Sequence, residues 1–216
     1  MRHEKIFKSV FCAILAALII VMVITGIGYI PIGTIAYITI LTIPVFVGSI
    51  FLGKWYGLIL GTVFGLTSMI YSFIIPAGNA PFTNPLLSVL PRAFLGFVVA
   101  IIYDGFKKIF KKPSLSIFAA IIAVLCGQII HSFSVLAILY FVAKTNFYFM
   151  ADAYSFVVEG NLLPFIIGAF GVNGVIETIA AVIIVPPITF ALQKATRNRY
   201  DNKLSDKELD EEYEKL

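Results

Sequence analysis

Inside otherwise apolar stretches, this 216-residue sequence carries a short set of polar and ionisable side chains: Arg92, Gln128, His131, Asn173 and Glu177. A charge at mid-membrane costs roughly 2.5–3.5 kcal/mol on insertion scales, so such residues face a cavity and mark function, or pair with one another structurally. Arg92 offers planar, bidentate donors that suit a carboxylate. Gln128, Asn173 and Asn84, the last in the loop before Arg92, can serve amide and hydroxyl groups. Asn173 and Glu177 stand at i, i+4 and share a helix face. Glu177 is expected well below the outer end of its span. The chemistry is recognition of a small polar molecule, not catalysis. His3 and His131 are the only histidines, no H-E-x-x-H occurs, and no carboxylate pair is spaced for acid/base work. Cys12 and Cys126 both fall inside apolar runs and read as small core residues, so neither a metal nor a cofactor is expected. Gly48 to Lys54 comes near the phosphate-binding G-x-x-x-x-G-K-[ST] loop, but Trp55 stands where the hydroxyl belongs and the segment ends a membrane helix. The chain has no ATPase of its own by this reading, and no enzyme activity is expected.

The elements that hold these residues must be membrane spans. The composition is 60% hydrophobic and 13% charged, with a mean hydropathy of +0.98. An ordinary soluble domain is nearer half apolar and one quarter charged. No Asp, Glu, Lys or Arg lies between Lys8 and Lys54, between Lys54 and Arg92, or between Lys112 and Lys144. Each run is long enough for the roughly 20 apolar residues that cross a bilayer. A secreted disulfide scaffold, a nucleic-acid binder and a soluble enzyme are excluded. The net charge of +4 sits in short basic clusters at the ends of apolar runs, as in membrane proteins.

The expected fold is an all-α integral membrane protein with six transmembrane helices, over about Ile6–Thr25, Ala36–Leu52, Gly57–Ile75, Pro85–Phe106, Leu115–Val142 and Leu162–Leu192. Residues 1–192 form the membrane domain and 193–216 a polar tail. Ser205-Asp206-Lys207-Glu208 in that tail has the form of a capping box and suggests a short separate helix. All but Arg92 and Lys144 of the 16 Lys and Arg residues fall on one side of this topology, which makes both termini cytoplasmic. Gly57, Gly61 and Gly65 recur every four residues, a spacing that lets helix backbones approach closely in lipid. Ala13 and Ala17, beside Cys12 and Ala16, give the first span a small-residue face.

The block Ile43-Pro44-Val45 through Gly53, Gly57, Gly61, Gly65-Leu66-Thr67-Ser68, then Asn84-Pro85 and Leu90-Pro91-Arg92 with Gly96, resembles the substrate-binding S components of energy-coupling factor (ECF) transporters, the bacterial vitamin importers. The Ile-Pro-Val and Phe-Gly-Leu-Thr-Ser wording looks most like the pantothenate-specific members. The resemblance implies a bacterial cell-membrane protein that captures a vitamin outside and releases it inside when docked on a transmembrane coupling subunit (EcfT) with two ATPase subunits. It places the docking motif on Ala13 and Ala17, with Ala16 leaving the register open by one residue. It puts the ligand near the outer face between the last three spans, under the loop Gly26 to Ile35, with the loop 143–160 a second candidate lid. The ligand-contacting set is then Asn84, Arg92, Gln128, His131, Asn173 and Glu177. Trp55, the only Trp, falls on the cytoplasmic side, which disfavours a Trp-stacked cation such as thiamin. Two alternatives stand beside this reading: an S component for another vitamin such as riboflavin or folate, and a self-sufficient channel or carrier working as a homo-oligomer.

Overall fold

A computed structural model describes residues 2–32, 36–74, 80–110, 115–145 and 174–213. Helix α1 runs over Arg2–Ile24 and stops at Gly26, whose φ of 72° is open to glycine at no steric cost. Strands β1 (Tyr29–Ile32) and β2 (Ala36–Thr39) follow, paired antiparallel with Tyr29 opposite Thr39. Then come α2 (Thr42–Leu52), α3 (Lys54–Ile74), a 3-10 turn (Ala80–Thr83), α4 (Pro85–Ser88), α5 (Leu90–Ile109), α6 (Ser116–Thr145) and α7 (Val175–Tyr213).

Five of the described helices, or joined pairs of helices, are long and apolar enough to cross a membrane. The second expected span is different. Ala36–Thr39 is a strand, and only the 11 residues of α2 are helical. The β-branched run Ile38-Thr39-Ile40 favours extended backbone, and Pro44 fits only the first turn of a helix. Nine residues of α2 are buried, among them Phe46 and Val45. A helix apolar on every side belongs inside the bundle.

The fourth span is broken near its start. Val89 lies between α4 and α5, and Pro91 lacks the N–H that Leu87 would accept from in a continuous helix. The last helix departs from expectation in the other direction. It continues without a break through Tyr213, so Ser205 lies mid-helix and no capping box forms there. The start of the sixth expected span, the loop 146–160 with Phe147, Tyr148, Phe149 and Tyr154, and Asn173 lie outside the described residues.

The glycine row on α3 packs internally. A Cβ on Gly57 would strike the backbone carbonyl of Gly96, one on Gly61 the carbonyl of Arg92, and one on Gly65 the backbone of Val89. Close approach of α3 and α5 is therefore built on missing side chains, as small-xxx-small packing requires in lipid. Gly61 in particular brings the Arg92 backbone against α3. Around this pair, Phe46, Phe64, Leu95, Val99, Ala123 and Val124 form the core, while Ile14, Ile70, Ile101 and Ile183 point outward. An apolar exterior of this kind is solvated by lipid.

On α1, Cys12, Leu15, Ile19 and Val23 face the core and Ala16 packs against it. Ala13 and Ala17 are exposed. The outward small-residue pair on α1 is thus Ala13 and Ala17, with Ala16 turned inward.

Candidate functional site

Arg92 projects from the first turn of α5 and is only 8% exposed. Its Nη1 donates to the Ser88 carbonyl at 2.6 Å and to Ser88 Oγ at 3.3 Å, and reaches the Leu87 carbonyl at 3.5 Å. Leu87 is the carbonyl that Pro91 leaves without a backbone donor, so the side chain covers the break in its own helix. Ser88 Oγ in turn donates to the Gly65 carbonyl at 3.0 Å. The guanidinium lies over the Phe64 ring, 4.8 Å from its centroid, and over the Phe82 ring at 5.1 Å. Cation–π contact with two faces holds its plane fixed. Nε, on a different edge from Nη1, is buried and has no hydrogen-bond partner. Arginine is thus anchored by one nitrogen and offers another, the arrangement needed to grip a planar anion.

Gln128 and His131, three residues apart on α6, face the same region. Gln128 is fully buried; its Nε2 donates to Glu177 Oε2 at 2.9 Å, while its Oε1 has no partner. His131 Nδ1 is likewise buried without a partner, and the ring lies within electrostatic reach of Arg92. Glu177 is in the first turn of α7, and its Oε1 accepts the Thr39 backbone N–H at 2.6 Å. It therefore sits beside the hairpin. Among the described residues Arg92 and Glu177 make no direct ion pair, although each feels the other's charge. The structural-bridge alternative loses its simplest form.

The hairpin is fastened at both strands. Tyr29 at the foot of β1 shares a hydrogen bond of 2.9 Å with Ser68 and stacks on Tyr71 with centroids 5.0 Å apart. Burial raises the pKa of the Tyr29 phenol, against the opposing influence of Ser68 and of the Arg92 charge, so the group stays a neutral hydroxyl at physiological pH. Thr39 at the end of β2 is tied to Glu177.

Of the residues singled out in the sequence, Arg92, Gln128, His131 and Glu177 converge, from three helices. Asn84 is used otherwise: its Oδ1 accepts the Leu86 N–H at 3.0 Å as the N-cap of α4, which leaves its amide nitrogen for any further contact. The residues before a helix-starting proline commonly take this role, and Asn84-Pro85 carries that signal. Phe64, Phe82 and Thr39 join the site without having been marked as site residues, whereas Tyr29 belongs to the loop Gly26 to Ile35 expected to cap it. Of the three, only Phe64, beside Gly65 in the close-packed row, had a usable cue.

Two comparisons bear on this arrangement. The model of the family described as ECF transporter, substrate-specific component, matches residues 7–189. A pantothenate transporter, PanT, of Leuconostoc mesenteroides subsp. mesenteroides is 25% identical over 183 residues, covering 81% of this chain and 85% of the relative.

Proposed function

Because the chain belongs to the family of ECF transporter substrate-specific components, a family of multi-pass membrane transporter subunits rather than enzymes, we propose that it binds pantothenate between α5, α6, α7 and the hairpin and delivers it when docked on an ATP-driven coupling module. The observation that carries the reading is the convergence of three buried, unpartnered polar atoms: Arg92 Nε, Gln128 Oε1 and His131 Nδ1. Buried polar groups are normally satisfied, and each exception has a reason. Pantothenate has one carboxylate, one amide and two hydroxyls. The carboxylate suits the Arg92 edge, and its hydroxyls or amide N–H suit Gln128 Oε1 and His131 Nδ1, both acceptors when His131 carries its proton on Nε2. The name of the Leuconostoc relative points to the same ligand.

In the membrane, the hairpin and Arg92 lie toward the outer face and both termini toward the cytoplasm. The helix directions support this: α5 runs from Arg92 to Lys107 and Lys108, and α7 from Glu177 to the basic residues after Gln193. The Ser9–Tyr56 hydrogen bond gathers the starts of α1 and α3 at the same basic end. The exposed Ala13 and Ala17 on α1 offer a coupling subunit close backbone approach, and a module of EcfT with two ATPases supplies the energy that this chain has no loop to harvest. Purified protein titrated calorimetrically with pantothenate, riboflavin and folate should bind the first. Riboflavin or folate binding with pantothenate silent would overturn the substrate.

A further inference from the structure

Glu177 joins two parts of the molecule, the hairpin and α6. One carboxylate oxygen accepts from the backbone of β2, the other from the side-chain amide of Gln128. A carboxylate presents only acceptors, so Gln128 must turn its NH2 toward Glu177 and its oxygen away. That oxygen is the unpartnered Oε1 of a side chain with no exposed surface. We propose that Glu177 is a positioning residue: it fixes the orientation of the Gln128 amide, so that the site demands a hydrogen-bond donor from its ligand at this point, and it holds β2 over the site with its second oxygen.

This inference rests on the binding-site reading above and sharpens it. A ligand that offers Gln128 only an acceptor is rejected, because two oxygens would face each other in a buried place. A site built to hydrogen-bond one ligand group discriminates strongly against an analogue lacking it. Thr39 and Gln128 share one carboxylate, so the hairpin and the specificity contact are set by the same side chain.

Glu177→Gln separates the possibilities by chemistry alone. A primary amide has one acceptor oxygen where the carboxylate has two. If that oxygen stays on Thr39, Gln128 must flip and present its NH2 to the ligand. If it stays on Gln128, an N–H faces the Thr39 N–H and β2 loses that backbone hydrogen bond. One of the two must change.

The test uses the full chain in lipid nanodiscs with pantothenate and three near-isosteric analogues, two with one hydroxyl replaced by fluorine and one with an ester in place of the amide. For the native protein, at least one analogue should bind weaker than pantothenate on the order of tenfold or more, as expected for a buried acceptor left unpaired. In Glu177→Gln that ratio should fall to about twofold, or amide hydrogen exchange over residues 36–40 should quicken severalfold. Equal binding of all four compounds to the native protein overturns the donor requirement. An unchanged ratio together with unchanged exchange in Glu177→Gln overturns the positioning role. If pantothenate and its analogues are all silent, the substrate reading fails separately, and unchanged exchange alone then refutes the tie. Should Glu177→Gln not purify, Gln128→Met removes the acceptor and leaves Thr39 on Glu177. It should abolish the discrimination with native exchange at 36–40, and retained discrimination refutes the proposal.

Discussion

Replacing Arg92 with alanine removes two things that the structure allows to be weighed separately. The first is the proposed ligand contact through the edge bearing Nε. A charge-assisted contact of this kind in a dry site contributes about 1.5–3 kcal/mol, which at 1.4 kcal/mol per decade is roughly ten- to a hundredfold in dissociation constant. The second is structural: Nη1 holds the Ser88 carbonyl at 2.6 Å and lies beside the Leu87 carbonyl that Pro91 leaves unpaired. Ser88 itself remains fixed, since its Oγ also bonds Gly65, so the stability loss should stay near the lower end of the about 1–3 kcal/mol range for a buried acceptor left without a donor. Arg92→Lys keeps the charge and loses the planar fork and its stacking between Phe64 and Phe82. Calorimetric titration of pantothenate into wild type, Arg92→Ala and Arg92→Lys, with thermal unfolding of each, is the assay. Both variants should insert and purify, Arg92→Ala should lose at least tenfold in affinity, and Arg92→Lys should fall between. Affinity unchanged within twofold, with both variants melting lower, would show that the arginine only mends the helix break and would refute the reasoning.

Ala13→Leu and Ala17→Leu should abolish pantothenate uptake in cells while binding by the purified chain stays native, because both side chains are exposed on α1 and turned away from the core; native uptake by both variants would remove the docking assignment. Gly61→Ala should destabilise by about 1–3 kcal/mol through overpacking, read as a lowered melting temperature, because its new methyl meets the Arg92 carbonyl; it should also weaken ligand binding, whereas Gly105→Ala, with open space around it, should do neither. Tyr29→Phe removes the hydroxyl bonded to Ser68 but keeps the stack on Tyr71. It should speed pantothenate dissociation by about twofold to tenfold, in line with about 0.5–1.5 kcal/mol for one hydrogen bond, as measured by a chase with unlabelled ligand.

The spans were legible because lipid imposes a long, charge-free apolar run, and α1, α3 and α5 lie close to where those runs fall. The glycine row announced its own close contact, since little besides packing explains glycine every fourth residue in a helix. What the sequence hid is local. Ala36 to Leu52 has the hydropathy of a span, and only its β-branched start and Pro44 hint that it divides into a strand and a short buried helix. The site was half visible: Arg92, Gln128, His131 and Glu177 stand out because polar side chains are rare in such surroundings. Phe82 does not, since a phenylalanine stacked on a guanidinium reads like any other among 20, and Phe64 is hinted at only by its place beside Gly65. Thr39 contributes through its backbone N–H as well as its hydroxyl, and the first of these no residue type reveals; Asn84 was ambiguous because one side chain can cap a helix or meet a ligand.

At Gly57, Gly61 and Gly65 the backbones of α3 and α5 meet with no α3 side chain between them that could change rotamer. Phe64 and Arg92 therefore ride on a single fixed jaw. Gln128, His131 and Glu177 belong to α6 and α7, and Thr39 to the hairpin, none of which shares that seam of bare backbone. A molecule gripped by Arg92 on one side and Gln128 on the other would tie that jaw to the helices packed on it, so loading the site should stiffen the whole bundle.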